Sequence, residues 1–290
     1  MTWLFGRKKP PRQAEAPFAP PAKKKEIILI GGSGTIGRIL EEGLSDTYEI
    51  SVMDISARGC GSKGKKKKNF TRADAASIDR LRAVIPDSAY ALVNLTQLDG
   101  QPPLPDGKGI CLSSDLYIVG AYNVLLAAAE KGIGKVVLAS TNHVTGAYEA
   151  GGRTLLGREI RTDDYPLPDS VYGAMKLCQE HLGYLFAREK NEKKKTSVIC
   201  LRIGTVVSDE LSFLQSNERA RRTIMSRSDT IDIFRKAIET KIRFGVYYGV
   251  SDNPGRPWDI SNAVAELGFS PRVNSQDILS LNWLLEGQDK

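Results

Sequence analysis

Histidine and cysteine are scarce in this chain of 290 residues, and each scarcity narrows what the protein can do. Two histidines, His143 and His181, rule out a histidine-rich metal site, and no metal is expected. The four cysteines, Cys60, Cys111, Cys178 and Cys200, are widely spaced and form no CxxC pair. They read as reduced thiols in a cytoplasmic protein. No apolar run approaches the roughly 18 residues that a membrane span needs. The opening Met1-Thr2-Trp3-Leu4-Phe5-Gly6 is too short for a signal-peptide core, and its basic residues follow it rather than precede it.

Positive charge is present, but it is unevenly placed. The net charge is +7, yet residues 1–25 carry a surplus of +6 and residues 58–72 a surplus of +7, which leaves the remainder mildly acidic. Basic residues confined to two flexible-looking segments read as solvated tails and loops, not as a nucleic-acid surface, and no nucleic-acid partner is expected. A sharper alternative has Trp3, Leu4 and Phe5, with Arg7, Lys8 and Lys9, touching an anionic membrane surface.

Residues 1–25, rich in Pro, Ala and Lys and without periodicity, are expected to be disordered. From Glu26 the pattern changes. Strands are expected at Glu26–Ile30, Tyr48–Asp54, Ala89–Leu95, Lys135–Ser140 and Thr196–Ile203. Between them, helices are expected at Thr35–Ser45, Ser77–Ile85, Asp115–Lys131 and Ser170–Lys190. That alternation predicts an α/β fold, a Rossmann-type doubly wound parallel sheet, over residues 26–204. Residues 205–290 add a helix near Asp229–Glu239, a strand near Phe244–Val250 and short helical pieces from Ile260. They are expected to form a small cap closing one side of a substrate site.

Between the first strand and first helix stands Gly31-Gly32-Ser33-Gly34-Thr35-Ile36-Gly37, with glycines spaced G-x-x-G-x-x-G. Such a turn lets backbone N–H groups approach a pyrophosphate, and the helix starting near Thr35 adds its positive end. Asp54 ends the second strand at the distance suited to adenosine ribose hydroxyls, and it would repel a 2′-phosphate. NAD is therefore expected, with NADP left open by Arg58 and the Lys63–Lys68 run nearby. A strand-end turn is the plainer role for Asp54.

Tyr172-Gly173-Ala174-Met175-Lys176 puts a phenol and an ammonium at i and i+4, on one helix face. The cation is expected to lower the phenol's pKa toward that of a working base. Ser140-Thr141-Asn142-His143 ends the preceding strand, so Thr141 could hydrogen-bond the reacting oxygen or merely satisfy a turn.

Together, Gly31-x-x-Gly34-x-x-Gly37, Asp54, Asp74, Asn94-Leu95-Thr96, Ser140-Thr141 and Tyr172-x-x-x-Lys176 resemble the extended short-chain dehydrogenase/reductase superfamily, over roughly residues 26–270. The resemblance implies that Thr141, Tyr172 and Lys176 form the catalytic set and that Lys176 also holds the nicotinamide ribose. It implies that Asp74 contacts adenine, and that Thr35, Ile36, Leu95, Thr96 and Ile203 line the dinucleotide. It also suggests a homodimer paired through the helices 115–131 and 170–190. Dehydratases of the superfamily carry Asp-Glu after the catalytic Thr. Here Asn142 and His143 occupy those places, so dehydration is excluded.

The wording of Ser140–Val144, Pro168–Lys176, Leu201–Gly204 and Tyr248–Asn253 is similar to uronate dehydrogenases and related NAD-dependent sugar or sugar-phosphate dehydrogenases. That similarity implies oxidation of a sugar or sugar acid at its anomeric carbon, giving a lactone. Asn142 and His143 would contact sugar hydroxyls, and Arg219 or Arg222 a substrate carboxylate. For His143 a packed strand-end role, and for the arginines a solvated helix surface, are the plainer readings. The competing functions are a nucleotide-sugar epimerase and a non-catalytic dinucleotide-binding protein.

Overall fold

The computed structural model describes residues 23–57, 69–98, 107–191 and 195–286. The sequence that reads EIILI forms β1 (Glu26–Ile30), whose last four residues are buried on both faces, as a central parallel strand requires. It is followed by α1 (Thr35–Leu44), β2 (Glu49–Asp54), β3 (Phe70–Arg72), α2 (Ile78–Val84) and β4 (Ala91–Asn94). Next comes a continuous helical run: α3 (Gly107–Ser114), a π-helical turn at Asp115–Val119, and α4 (Gly120–Glu130). Then follow β5 (Lys135–Thr141), a 3-10 turn at Asn142–Tyr148, a hairpin of β6 (Glu149–Ala150) and β7 (Arg153–Thr154), and α5 (Val171–Ala187). The chain continues through β8 (Ser197–Ile203), α6 (Glu210–Ser216), α7 (Ala220–Thr223), α8 (Arg227–Glu239), β9 (Phe244–Gly249), a π-helical turn at Ala263–Leu267, and α9 (Ser275–Glu286).

Seven strands pair in the order β3-β2-β1-β4-β5-β8-β9, every pair parallel. Because strand side chains alternate, the sheet divides its apolar residues between two cores. Ile27, Leu29, Val93, Val137 and Leu201 pack beneath α1 and α8, with Leu40, Leu44, Ile233 and Phe234. Ile28, Ile30, Leu92, Val136 and Leu138 pack beneath α2, α4 and α5, with Leu81, Val124 and Ala187. The result is the expected doubly wound α/β sandwich.

Four local features differ from the sequence reading. β3 was not expected, because three residues at the sheet edge carry no pattern. The long helix begins at Gly107 and not at Asp115, its first turns being glycine- and serine-rich. Its stretch Gly109–Glu130 is, by length and composition, apolar enough to cross a membrane, contrary to expectation. In this fold its α4 half is buried through Ala121, Val124, Leu125, Ala127 and Ala128. Residue 204 is also not where the sheet ends, since β9 is its outermost strand, and only α6, α7 and α9 form a separate small cluster around Leu214, Ala220 and Ile224. Residues 1–22 and the Lys63–Lys68 run, with the membrane and NADP readings attached to them, lie outside the described residues.

Candidate active site

Most of the candidate groups lie at or near the carboxyl ends of the strands, where a doubly wound sheet opens its crevice, and Tyr172 and Lys176 are brought there by α5. The turn after β1 is shaped by close approach. Gly31 has φ +75°, and a Cβ there would lie 2.8 Å from the Thr96 backbone, so only glycine fits. At Gly37 a Cβ would stand 2.2 Å from the Gly32 carbonyl oxygen, which presses α1 against the turn. Gly34 is different: among the described residues, a Cβ there would meet nothing nearer than the Gly31 carbonyl at 3.7 Å. It caps α1 without any side-chain hydrogen bond, so among the described residues no capping side chain answers the first-turn N–H groups of Thr35 and Ile36. This open cradle suits a pyrophosphate.

Asp54 braces the same turn. Its Oδ2 accepts from the Ser33 N–H at 3.0 Å and its Oδ1 from Ser56 N–H at 3.4 Å. A carboxylate so placed still has lone pairs that could accept two further hydroxyls. Asp74 follows β3, exposed, with Oδ1 accepting from Ala76 N–H at 2.9 Å. Leu95 and Thr96 continue β4 into the crevice, and Asn94 Oδ1 accepts from both the Thr96 N–H and its hydroxyl. Ile203 ends β8 beside Thr141, its register partner.

The proposed proton-transfer groups converge. Gly173 has His143 so close that a Cβ would sit 2.4 Å from its carbonyl oxygen. The absence of a side chain there lets the 142–143 turn press against the start of α5. Ser170 caps that helix, accepting from Gly173 N–H at 3.2 Å. Thr141 and Tyr172 are thereby brought close enough for the Thr141 hydroxyl to influence the phenol. Lys176, only 2% exposed, donates to the Ala139 carbonyl at 2.8 Å and the Thr96 carbonyl at 3.3 Å. It thus joins β5 to the segment that follows β4.

The expected electrostatics of the pair are not what the structure holds. Burial pushes Tyr172 above the ordinary phenol value, helped by Tyr117, and it is the Thr141 hydrogen bond that pulls the other way. Lys176 lies 5.9 Å from the Tyr172 ring, and its own burial lowers it to about 7. In a dry site the cost of desolvating each charge outweighs their mutual help. Thr141, not Lys176, is the group that favours the phenolate.

Asn142 and His143 are both committed to partners. Asn142 Nδ2 donates to the Ile203 carbonyl at 2.8 Å, which turns its Oδ1 toward Arg219 at 3.4 Å. His143 Nδ1 lies 2.9–3.0 Å from both oxygens of Asp169, and its ring stands edge-on to Tyr172. Of the two arginines, Arg219 reaches this cluster, paired with Glu149 at 2.6 Å. Arg222 has no hydrogen bond to it among the described residues. It runs toward Gly255, with Glu218 at 3.5 Å.

Sequence reasoning assigned no role to three groups. Glu149 and Asp169 hold Arg219 and His143. Glu180, four residues past Lys176, is fully buried and pairs with Arg202 at 2.9 Å while accepting from Ser140 at 2.5 Å. It clamps α5 to β5 and β8. Spacing could have flagged Glu180, which shares a helix face with Lys176. The Gly151-Gly152 hairpin signal could have placed Glu149 at a strand end.

A family model described as the NAD dependent epimerase/dehydratase family matches residues 27–235. The chain belongs to that family. With it comes membership of the extended short-chain dehydrogenase/reductase superfamily, and NAD as cofactor. Among related family members is YtbQ of Bacillus subtilis, a protein of uncharacterized function, 46% identical over 88% of this chain and 97% of its own length. The NAD-dependent glucose-6-phosphate dehydrogenase of Haloferax volcanii is 27% identical, over 87% of this chain and 94% of its own. In structure, the chain resembles the uronate dehydrogenase of Agrobacterium tumefaciens with a TM-score of 0.70 and 23% identity, covering 88% of this chain and 86% of that one.

Proposed function

We propose that this family member is a dehydrogenase that oxidises a sugar at its anomeric carbon, giving a lactone. The observation that carries the reading is the convergence of Thr141, Tyr172 and Lys176 on one crevice beside the open Gly34 cradle. The Haloferax relative, a dehydrogenase of a phosphorylated sugar, supports it.

The Gly31–Gly37 turn and the start of α1 hold the pyrophosphate, Asp54 the adenosine ribose, and Asp74 the adenine edge. Leu95, Thr96 and Ile203 line the crevice, and Lys176 holds the nicotinamide ribose. NAD, when bound, supplies the hydride acceptor. Tyr172, as phenolate, removes the proton of the anomeric hydroxyl and is left as the neutral phenol, and Thr141 donates a hydrogen bond that steadies the phenolate before that transfer. Asn142 and His143, each fixed by a partner, orient the sugar hydroxyls. Lys176, anchored to two backbone carbonyls, fixes where the two strands meet.

Because oxidation needs the phenolate and burial raises the Tyr172 pKa, turnover should climb as pH rises from neutral. The expected slope is about tenfold per pH unit until another step limits. A flat profile between neutral and alkaline pH would remove Tyr172 as the base. The direct test is NADH formation with aldoses, sugar phosphates and uronic acids. Stoichiometric NADH with one class supports the reading. Interconversion of a nucleotide sugar without net NADH would replace it with epimerisation.

A further inference from the structure

Of the two candidate arginines, Arg219 is the one that reaches Asn142, and its charge is already answered. Glu149, whose side chain is 8% exposed, takes the Nε–Nη2 edge of the guanidinium, with contacts of 3.1, 3.1 and 2.6 Å. That edge is the one a substrate carboxylate or phosphate would use for a bidentate grip. Glu149 is itself braced, because the Gly152 N–H donates to its Oε1 at 2.6 Å. The hairpin carrying it is pressed onto the arginine's backbone, a Cβ on Gly152 lying 3.0 Å from the Arg219 carbonyl oxygen. Among the described residues, Arg219 keeps only long contacts on its other edge, 3.4 Å to Asn142 and 3.5 Å to Thr205. His143, the residue after Asn142, faces a second carboxylate, Asp169. Two carboxylates and one guanidinium therefore flank the place where sugar hydroxyls would lie.

We propose that Glu149 is a specificity-determining residue. By neutralising Arg219 it makes this an enzyme for an uncharged aldose, with sugar acids disfavoured. The proposal rests on the sugar-oxidation reading and names its substrate class. The long edge contacts of Arg219 are the ones that sugar hydroxyls replace. An added carboxylate would have to displace Glu149 or sit beside it, and like charges in a half-buried site repel.

The test compares matched pairs, glucose with glucuronate and galactose with galacturonate, in the wild type, Glu149→Gln, and the double variant Glu149→Gln/Arg219→Gln. In the wild type, kcat/KM should favour the aldose. In Glu149→Gln the aldose-to-uronate ratio should fall by about tenfold or more, chiefly through the uronate KM, as the freed guanidinium gains an anion partner. The double variant, again without net charge, should keep the wild-type preference, and it carries the comparison should the single variant fail to fold. A wild type that prefers the uronate, an unchanged ratio in Glu149→Gln, or an equal uronate gain in both variants would overturn the proposal. Calorimetric binding of the same pairs to the NAD-loaded protein separates the two levels. Absence of NADH with every sugar sinks the dehydrogenase reading. An unchanged binding ratio in Glu149→Gln sinks the charge assignment.

Discussion

Two lysines lie buried at opposite ends of the same sheet. Lys176 sits at the carboxyl end, 2% exposed, and burial lowers its pKa to about 7. Lys135 sits at the amino end, 7% exposed, lowered by burial to about 8. Titration alone does not separate them. Their surroundings do: Lys176 bridges two strand-end carbonyls beside Tyr172, whereas Lys135 donates to the carbonyl of Thr240, the C-cap of α8. A cation at a helix carboxyl end is a structural device. A depressed lysine marks a site only when a reactive group and an open crevice accompany it.

That contrast can be broken by substitution. Tyr172→Phe removes the base and should lower kcat by about a thousandfold with an unchanged melting temperature. Steady-state NADH formation and thermal melting together check this. A comparable loss from Lys135→Met would erase the distinction between the two ends.

Next in size is the buried pair behind the carboxyl end. Glu180→Gln leaves Arg202 charged in a site where each side chain is only 4–5% exposed. Urea unfolding should show a loss of about 3–5 kcal/mol. Activity should fall in the surviving folded fraction as well, because α5 carries Tyr172 and Lys176. Stability lost with full specific activity would make the clamp purely structural.

The smallest effect, taken per pH unit, concerns the lysines themselves. Each has a folded-state pKa below its unfolded value, so between the two values the unfolded chain binds more protons and stability rises with pH. Lys176 should contribute from about pH 7 to 10.5 and Lys135 from about pH 8 to 10.5. The stability difference between wild type and Lys176→Met should therefore grow in favour of wild type by at most about 1.4 kcal/mol per pH unit across that window. The Lys135→Met difference should grow in the same direction. Urea titrations at stepped pH measure both, and parallel lines would refute the assigned burial.

Much of this was legible in the sequence because it rests on local pattern. β1, β5 and β8 are continuous apolar runs, and the glycine turn and Tyr172-x-x-x-Lys176 each fit in one window. The features that stayed hidden depend on distant partners. β3 is a strand only because Val52–Asp54 offers it an edge. The pKa order of Tyr172 and Lys176 comes from burial, which spacing does not encode, so the expected lysine-driven phenolate gave way to Thr141. Glu149 meets Arg219 from 70 positions away in the chain, and no reading of either segment alone joins them.

Oxidation at the anomeric carbon is tested most directly by isotope transfer. An aldose deuterated at C1 is incubated with the protein and NAD, and the nicotinamide is examined by NMR. Deuterium on the reduced nicotinamide, with a lactone as product and neither formed by Tyr172→Phe, is the expected result. Deuterium retained on the sugar, or reduced nicotinamide carrying only protium while a lactone accumulates, would contradict anomeric hydride transfer.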